Sequence, residues 1–383
     1  MRILPIASGK GGVGKSLISA NLAIAFAQAG KKVVLADLDL GASNLHLLIG
    51  YRAPKTGIGT FLSDLRSDFS RVVVDTDIPN LRFIPGDAEI PGSANLKPAQ
   101  VSALARRLLG LDCDILVLDL GAGTHQSILD FFLLSGQGIV VTTPTVTATL
   151  NAYLFLKNTV FRLMYSTFKK GSAAYGYLEK LRKDGTSLQQ LYIPKLMEAI
   201  REVDPGSHAK FKERMKLFHP RLIMNMIEDP KSAEVAQKIR RSCAEYLGLE
   251  IEHLGVIYRD TLQDTALAAR LPILLYKNQS ILSQAIYRIA DKILQSEEEQ
   301  VPLQGRSIEE SFQEAELEAE VDFEAKMEYV EDLLHCGALS MADLVETVKT
   351  QQIEINQLRK ENLFLKSRLV KALSSASSEQ SRG

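Results

Sequence analysis

Apolar and polar positions along the first 295 or so residues follow two alternating patterns. Short continuous apolar runs occur at 3–7, 33–36, 115–118, 138–143, 221–225 and 253–258. Such runs mark strands buried on both faces, as in a parallel sheet. Longer segments with helical spacing separate them, at 17–29, 100–109, from 146 onward, at 232–247 and at 281–294. Gly30 closes the first helix as a C-cap. Weaker runs at 72–74 and 81–84 predict small strands, and 58–65 predicts a short helix. Strand and helix in regular alternation specify a doubly wound, mainly parallel α/β sheet. Past residue 297 the pattern becomes an acidic helical segment with apolar positions at Phe312, Leu317, Val321 and Met327. From Leu344 to Ala372 apolar positions recur in steps of four and three, a heptad seam with Asn362 at an a position, where a buried amide favours a parallel dimer. Residues 374–383 read as disordered.

Composition narrows the class. A chain of 383 residues with 46% hydrophobic residues and a net charge of −1 can bury a large core, and its overall charge does not advertise nucleic acid as a partner. Cys113, Cys243 and Cys336 are far apart, so neither a metal site nor a disulfide framework is indicated. The chain enters its first strand without the features of a signal peptide, and it has no apolar run long enough to span a bilayer. A reducing cytoplasm is the expected compartment.

The chemistry concentrates in the turn after the first strand. Gly9, Gly14, Lys15 and Ser16 satisfy the phosphate-loop spacing G-x-x-x-x-G-K-[ST]. Glycines at these positions let successive N–H groups turn toward phosphate oxygens at the start of a helix. Lys15 would neutralise the β- and γ-phosphates, and Ser16 would offer its hydroxyl to Mg²⁺. Asp37 and Asp39 stand just beyond the second strand, where α/β sheets bind ligands, although both also suit a turn or a helix cap. The run 114–119 is four apolar residues ending in Asp119, the form of a Walker B strand whose carboxylate holds Mg²⁺ through water. Gly121 and Gly123 make 120–124 a candidate switch loop. His125 beside it reads as a polar loop residue rather than a base.

Lys10, a second lysine in the loop, is outside the general pattern. With it, Gly9-Lys10-Gly11-Gly12-Val13-Gly14-Lys15-Ser16 resembles the deviant Walker A loop of the MinD/ParA ATPases. The Asp-x-Asp at Asp37 and Asp39, Asp119 with its Gly-Ala-Gly, 39–50 and 141–147 are similar to the same family, nearest its FlhG (FleN) branch and MinD. The likeness covers about the first 160 residues and resumes more weakly from 220 to 295. It implies a P-loop NTPase of SIMIBI type that binds ATP and Mg²⁺ and forms an ATP-dependent homodimer. Gly9, Gly11, Gly12, Val13, Gly14, Lys15 and Ser16 would bind the nucleotide. Lys10 would reach the partner's nucleotide, Asp39 would orient the attacking water, and Asp37 would support Mg²⁺ beside Ser16 and Asp119. Asn225 matches an adenine contact, with a structural asparagine as the alternative. Slow hydrolysis would time a switch that positions or counts a cell structure, flagella first; chromosome or plasmid partition and a nucleotide-switched scaffold are the alternatives.

Two regions depart from the compact family pattern. Residues 161–220 form an insert rich in Lys and Arg, interleaved with aromatics and acids. A solvated helical subdomain with its own small core is favoured over a DNA-binding surface. The tail reads as a coiled coil that would bind a partner, over an amphipathic helix that would contact the inner face of the cell membrane. The expected organisation is an ATPase domain over 1–296, an acidic helical segment over 297–340, the coiled coil or amphipathic helix over 341–373, and the tail 374–383.

Overall fold

The computed structural model describes residues 1–40, 43–52, 56–86, 96–183, 192–298 and 308–336, with short stretches between 340 and 361. In chain order come β1 (Arg2–Ser8), α1 (Lys15–Gln28), β2 (Val33–Leu38), α2 (Leu45–Leu48), α3 (Ile58–Ser63), β3 (Val74–Asp75), β4 (Leu81–Ile84) and α4 (Pro98–Leu109). Then follow β5 (Ile115–Ala122), α5 (Gln126–Phe132), β6 (Ile139–Thr142), α6 (Val146–Thr167), α7 (Ala173–Lys183), α8 (Ile193–Val203) and α9 (Pro205–Met215). The last elements are β7 (Arg221–Ile227), α10 (Val235–Ser242), β8 (Glu252–Tyr258), α11 (Leu262–Ala268), α12 (Ile273–Tyr276), α13 (Ile281–Glu298) and α14 (Ile308–His335).

Among the described residues the strands form one sheet in the order β3-β4-β2-β5-β1-β6-β7-β8. Every neighbouring pair is parallel except β3 with β4. Apolar side chains from the two faces feed two cores, one under α1 and α13 and the other under α5, α6 and α10. That two-sided burial is why the strands read as unbroken apolar runs. The doubly wound fold expected from the alternation is the fold observed. The strand expected at 72–74 begins instead with a 3-10 turn, Phe69–Val72, before β3. The helix expected over 232–247 is divided into a 3-10 turn, Pro230–Glu234, then α10, then one π turn, Cys243–Leu247.

The insert is helical, but it has no separate core. α6 runs without a break from the sheet into the insert, and Phe168, Leu178, Leu196, Ile200 and Phe211 are buried in the same cluster as β5 and β7 side chains. Phe168 and Phe211 pack with ring centroids 6.0 Å apart, and Tyr165 meets Tyr175 edge-on at 5.8 Å.

α14 corrects the apolar reading of the acidic segment. Phe312 is buried, but Leu317 and Val321 are 63% and 61% exposed. The inward stripe is Ser311, Phe312, Ala315, Ala319 and Asp322. Small residues face inward because the helix backbone lies close to β8: the Tyr258 hydroxyl donates to the Ala319 carbonyl at 2.7 Å. Ion pairs flank the stripe, Arg288 to Asp322 at 2.5 Å and Lys292 to Glu318 at 2.8 Å. The chain divides into two compact units, Met1–Phe323 and Glu324–Gly383. Much of the heptad expected over 341–373, Asn362 included, and all of 374–383 lie outside the described residues. Among the described residues no helix is long and apolar enough to cross a membrane.

Candidate nucleotide site

The carboxyl ends of β1, β2, β5, β6 and β7 converge on the loop 9–14. Gly12 and Gly14 take positive φ of 80° and 82°. Gly14 is doubly required, because a Cβ there would lie 2.3 Å from the Asn225 amide nitrogen. A Cβ at Gly9 would lie 2.0 Å from the Asn151 carbonyl oxygen of α6. The loop is therefore pressed between α6 and β7, with its backbone in the curl that aims N–H groups at an anion. Val13 is buried beneath it.

Sheet register brings the carboxylates together. Asp37 of β2 pairs directly with Asp119 of β5, and Asp119 lies opposite Ile6 of β1. Asp119 Oδ1 accepts from Lys15 Nζ at 2.6 Å and from Ser19 Oγ at 2.7 Å. Its second oxygen, Oδ2, is buried without a hydrogen bond among the described residues. Asp37 accepts from the Ser43 hydroxyl at 2.7 Å and from the Asp39 backbone N–H at 3.1 Å. Burial, then the charge of Asp119, pushes the Asp37 carboxyl up to about 7. Asp39 is half-buried at the rim, and burial raises its pKa also.

The two lysines of the loop differ in kind. Lys15 is 6% exposed and points into the site, where its ammonium also reaches the Ser16 hydroxyl at 3.1 Å. Lys10 is exposed and donates to Thr147 Oγ1 at the start of α6 at 3.1 Å. The remaining predicted residue, Asn225, is 2% exposed and donates to the Val13 carbonyl at 2.8 Å. It braces the phosphate loop. Beside it lies a cavity of about 440 Å³ walled by Lys10, Gly11, Gly12, Thr143, Met226 and Arg259, among others. Arg259 pairs there with Glu228 at 3.3 Å. A smaller cavity of about 230 Å³ touches Asp39, Gly121 and His125, whose Nδ1 lies 2.9 Å from Ser127 Oγ. The structure thus gathers Gly9 through Ser16, Asp37, Asp39, Asp119 and Asn225 at one edge of the sheet. Sequence reasoning missed Ser19, Ser43 and Thr147. Ser19 carried a signal, since it stands four residues after Lys15 on the same helix face.

A family model described as the CobQ/CobB/MinD/ParA nucleotide binding domain matches residues 4–365. The chain belongs to this MinD/ParA family. A septum site-determining protein MinD of Synechocystis is 35% identical over 153 residues, 39% of this chain and 56% of that protein. The match thus spans little more than half of that relative. The flagellum site-determining protein YlxH of Helicobacter pylori is 30% identical over 204 residues, 50% of this chain and 67% of that protein. Among solved structures, the septum site-determining MinD of Pyrococcus horikoshii, complexed with Mg-ADP, superposes with a TM-score of 0.51. It is 19% identical, covering 78% of this chain and 99% of that one, so the likeness concerns the fold.

The residues of this MinD/ParA site fit a magnesium nucleotide. Gly12 and Gly14 hold the curl at left-handed φ, and the space beside Gly12 is open, with nothing within 4 Å of where a Cβ would stand. Ser16, the unpaired Oδ2 of Asp119 and the buried Asp37 are hard oxygen donors suited to Mg²⁺ and its waters. No cluster of three or more His, Cys, Asp or Glu stands ready for a metal among the described residues.

Proposed function

We propose that this protein is an ATP-dependent dimerisation switch that hydrolyses ATP slowly. The observation that carries the reading is the division of labour between its two loop lysines. Lys15, buried against Asp119, would on this reading serve the β- and γ-phosphates of its own nucleotide, which would compete with Asp119 for its ammonium. Lys10, exposed and bonded to Thr147 of its own chain, would on this reading reach a second copy's nucleotide. An added cation at the γ-phosphate stabilises charge that develops in the transition state, which is what an arginine finger does elsewhere. Mg²⁺ held by Ser16 and, through water, by Asp37 and Asp119 would neutralise phosphate oxygens. Asp39, at the rim beside Gly121, would on this reading orient the attacking water.

Light scattering should show single chains with ADP and dimers with ATP and Mg²⁺. Lys10→Ala should remain monomeric in ATP and lose turnover by about a thousandfold, the lower end of the range for loss of a finger cation. Asp39→Ala should dimerise yet turn over at least about tenfold more slowly. A wild-type chain that stays single in saturating ATP and Mg²⁺, with its fold intact, would sink the proposal.

The likeness to a flagellum site-determining protein and to MinD supports a role in placing or counting a cell structure, with flagella the favoured case. On this reading the protein works in the cytoplasm and at the inner face of the membrane, and its tail holds a protein partner. Flagellar number in cells lacking the gene is the direct test, and an unchanged count would remove the flagellar role.

A further inference from the structure

A groove of about 650 Å³ runs from the phosphate loop into the insert. Gly9, Gly123 and Thr124 form its nucleotide end, and α7 of the insert forms its far wall. Leu129, Leu154 and Phe161 make an apolar floor. Beside them in the lining stand Tyr165 and Tyr175, edge to face. Charge in the lining is one-sided: Lys157, Arg162, Lys170 and Arg182 against the single carboxylate Glu179. Glu179 is neutralised by Arg182 at 2.9 Å, and Arg162 is held bidentately by Asp130 of α5 at 2.6 and 2.9 Å. Lys170 is exposed at the rim, whereas Lys157 is buried and burial lowers its pKa.

We propose that this groove docks an acidic peptide segment of a partner protein, with an apolar anchor side chain against Leu129, Leu154 and Phe161 and carboxylates against Lys170 and Arg182. An apolar floor with a cationic rim is complementary to an acidic-hydrophobic segment. Duplex nucleic acid fits less well, because a recess this small admits side chains and not a phosphate backbone, and Lys157 lies below the surface a duplex would touch. Because the groove ends at Gly9 and Gly123, an occupant would contact the phosphate loop and the candidate switch loop together. The nucleotide dependence that this implies rests on the switch reading above, while the binding itself does not.

The test uses the full chain and a fluorescein-labelled ten-residue peptide of Glu and Asp with one Leu and one Phe, followed by anisotropy in ADP and in ATP with Mg²⁺. Wild type should bind it, and the double variant Lys170→Glu, Arg182→Glu should bind at least about tenfold more weakly, as expected for reversing two contacting charges. Lys180→Glu with Lys183→Glu, on the same helix but outside the groove lining, should stay within about twofold. Absence of binding to wild type, or equal losses in both double variants, overturns the proposal. So does a twenty-base-pair duplex that binds with the same dependence on Lys170 and Arg182 and displaces the peptide. Dimer mass in ATP is read on the same samples. A normal dimer that ignores the peptide removes the groove alone, and peptide binding by a chain that never dimerises removes the switch alone.

Discussion

Asn225 shows how a single side chain acquires a task from its surroundings. Its amide donates to the Val13 carbonyl and closes on the space left by Gly14. Asn225→Ala would orphan a buried acceptor in the phosphate loop, at a cost of about 1–3 kcal/mol. The expected result is a lower melting temperature together with weaker ATP binding in a fluorescent-nucleotide titration. Normal binding with a lowered melting temperature would confine Asn225 to a structural part. His253 on β8 offers a second residue-scale test. It is buried against Phe312, ring centroids 5.0 Å apart, and neither ring nitrogen has a hydrogen-bond partner among the described residues. Burial, helped by Lys292, lowers its pKa to about 3. The folded pKa lies below the unfolded value of 6.5, so as pH falls the unfolded chain takes up the proton first. Stability should fall by up to about 1.4 kcal/mol per pH unit between roughly pH 6.5 and 3. Urea unfolding of His253→Leu across that range should show a correspondingly shallower slope, and parallel slopes would refute the assignment.

At the scale of elements, α14 is the informative case. An apolar-spacing argument selects Leu317 and Val321, yet the face that meets β8 is built of Ala315 and Ala319 between Phe312 and Asp322. A tightly approaching helix selects for small side chains at the contact. Ala319→Leu should therefore cost about 1–3 kcal/mol by overpacking, whereas Leu317→Ala should change stability by less than about 0.5 kcal/mol. Hydrogen exchange should then speed up across 308–323 in the first variant alone. Equal effects would mean that the inward face is misassigned. The insert carries the same lesson. Its alternating acids and bases suggested a solvated appendage with a private core, but Phe168, Ile200 and Phe211 join the core of the sheet through the long helix α6. The insert is part of the body built on the sheet and should melt with it.

For the whole molecule, the doubly wound sheet places at one edge what the chain spreads over more than 200 residues. If that edge binds the nucleotide, ATP with Mg²⁺ at about a hundred times Kd should stabilise the chain by about 2.7 kcal/mol, and Lys15→Ala should abolish most of the shift. A full shift in Lys15→Ala would place binding elsewhere. The fold class was legible in the linear pattern, and so were the glycine-rich loop after β1 and the strand-end positions of Asp37, Asp39 and Asp119. Strands buried on both faces and loops that curl around an anion impose local residue requirements, and local requirements leave local signatures. What needed three dimensions was every relation set by register or by packing between distant segments. The pairing of Asp37 with Asp119, the brace from Asn225 to Val13, the bond from Lys10 to Thr147 and the alanine face of α14 are all of that kind. No periodicity records them, because the partners of each contact are far apart in the chain and meet only when the sheet and its helices close.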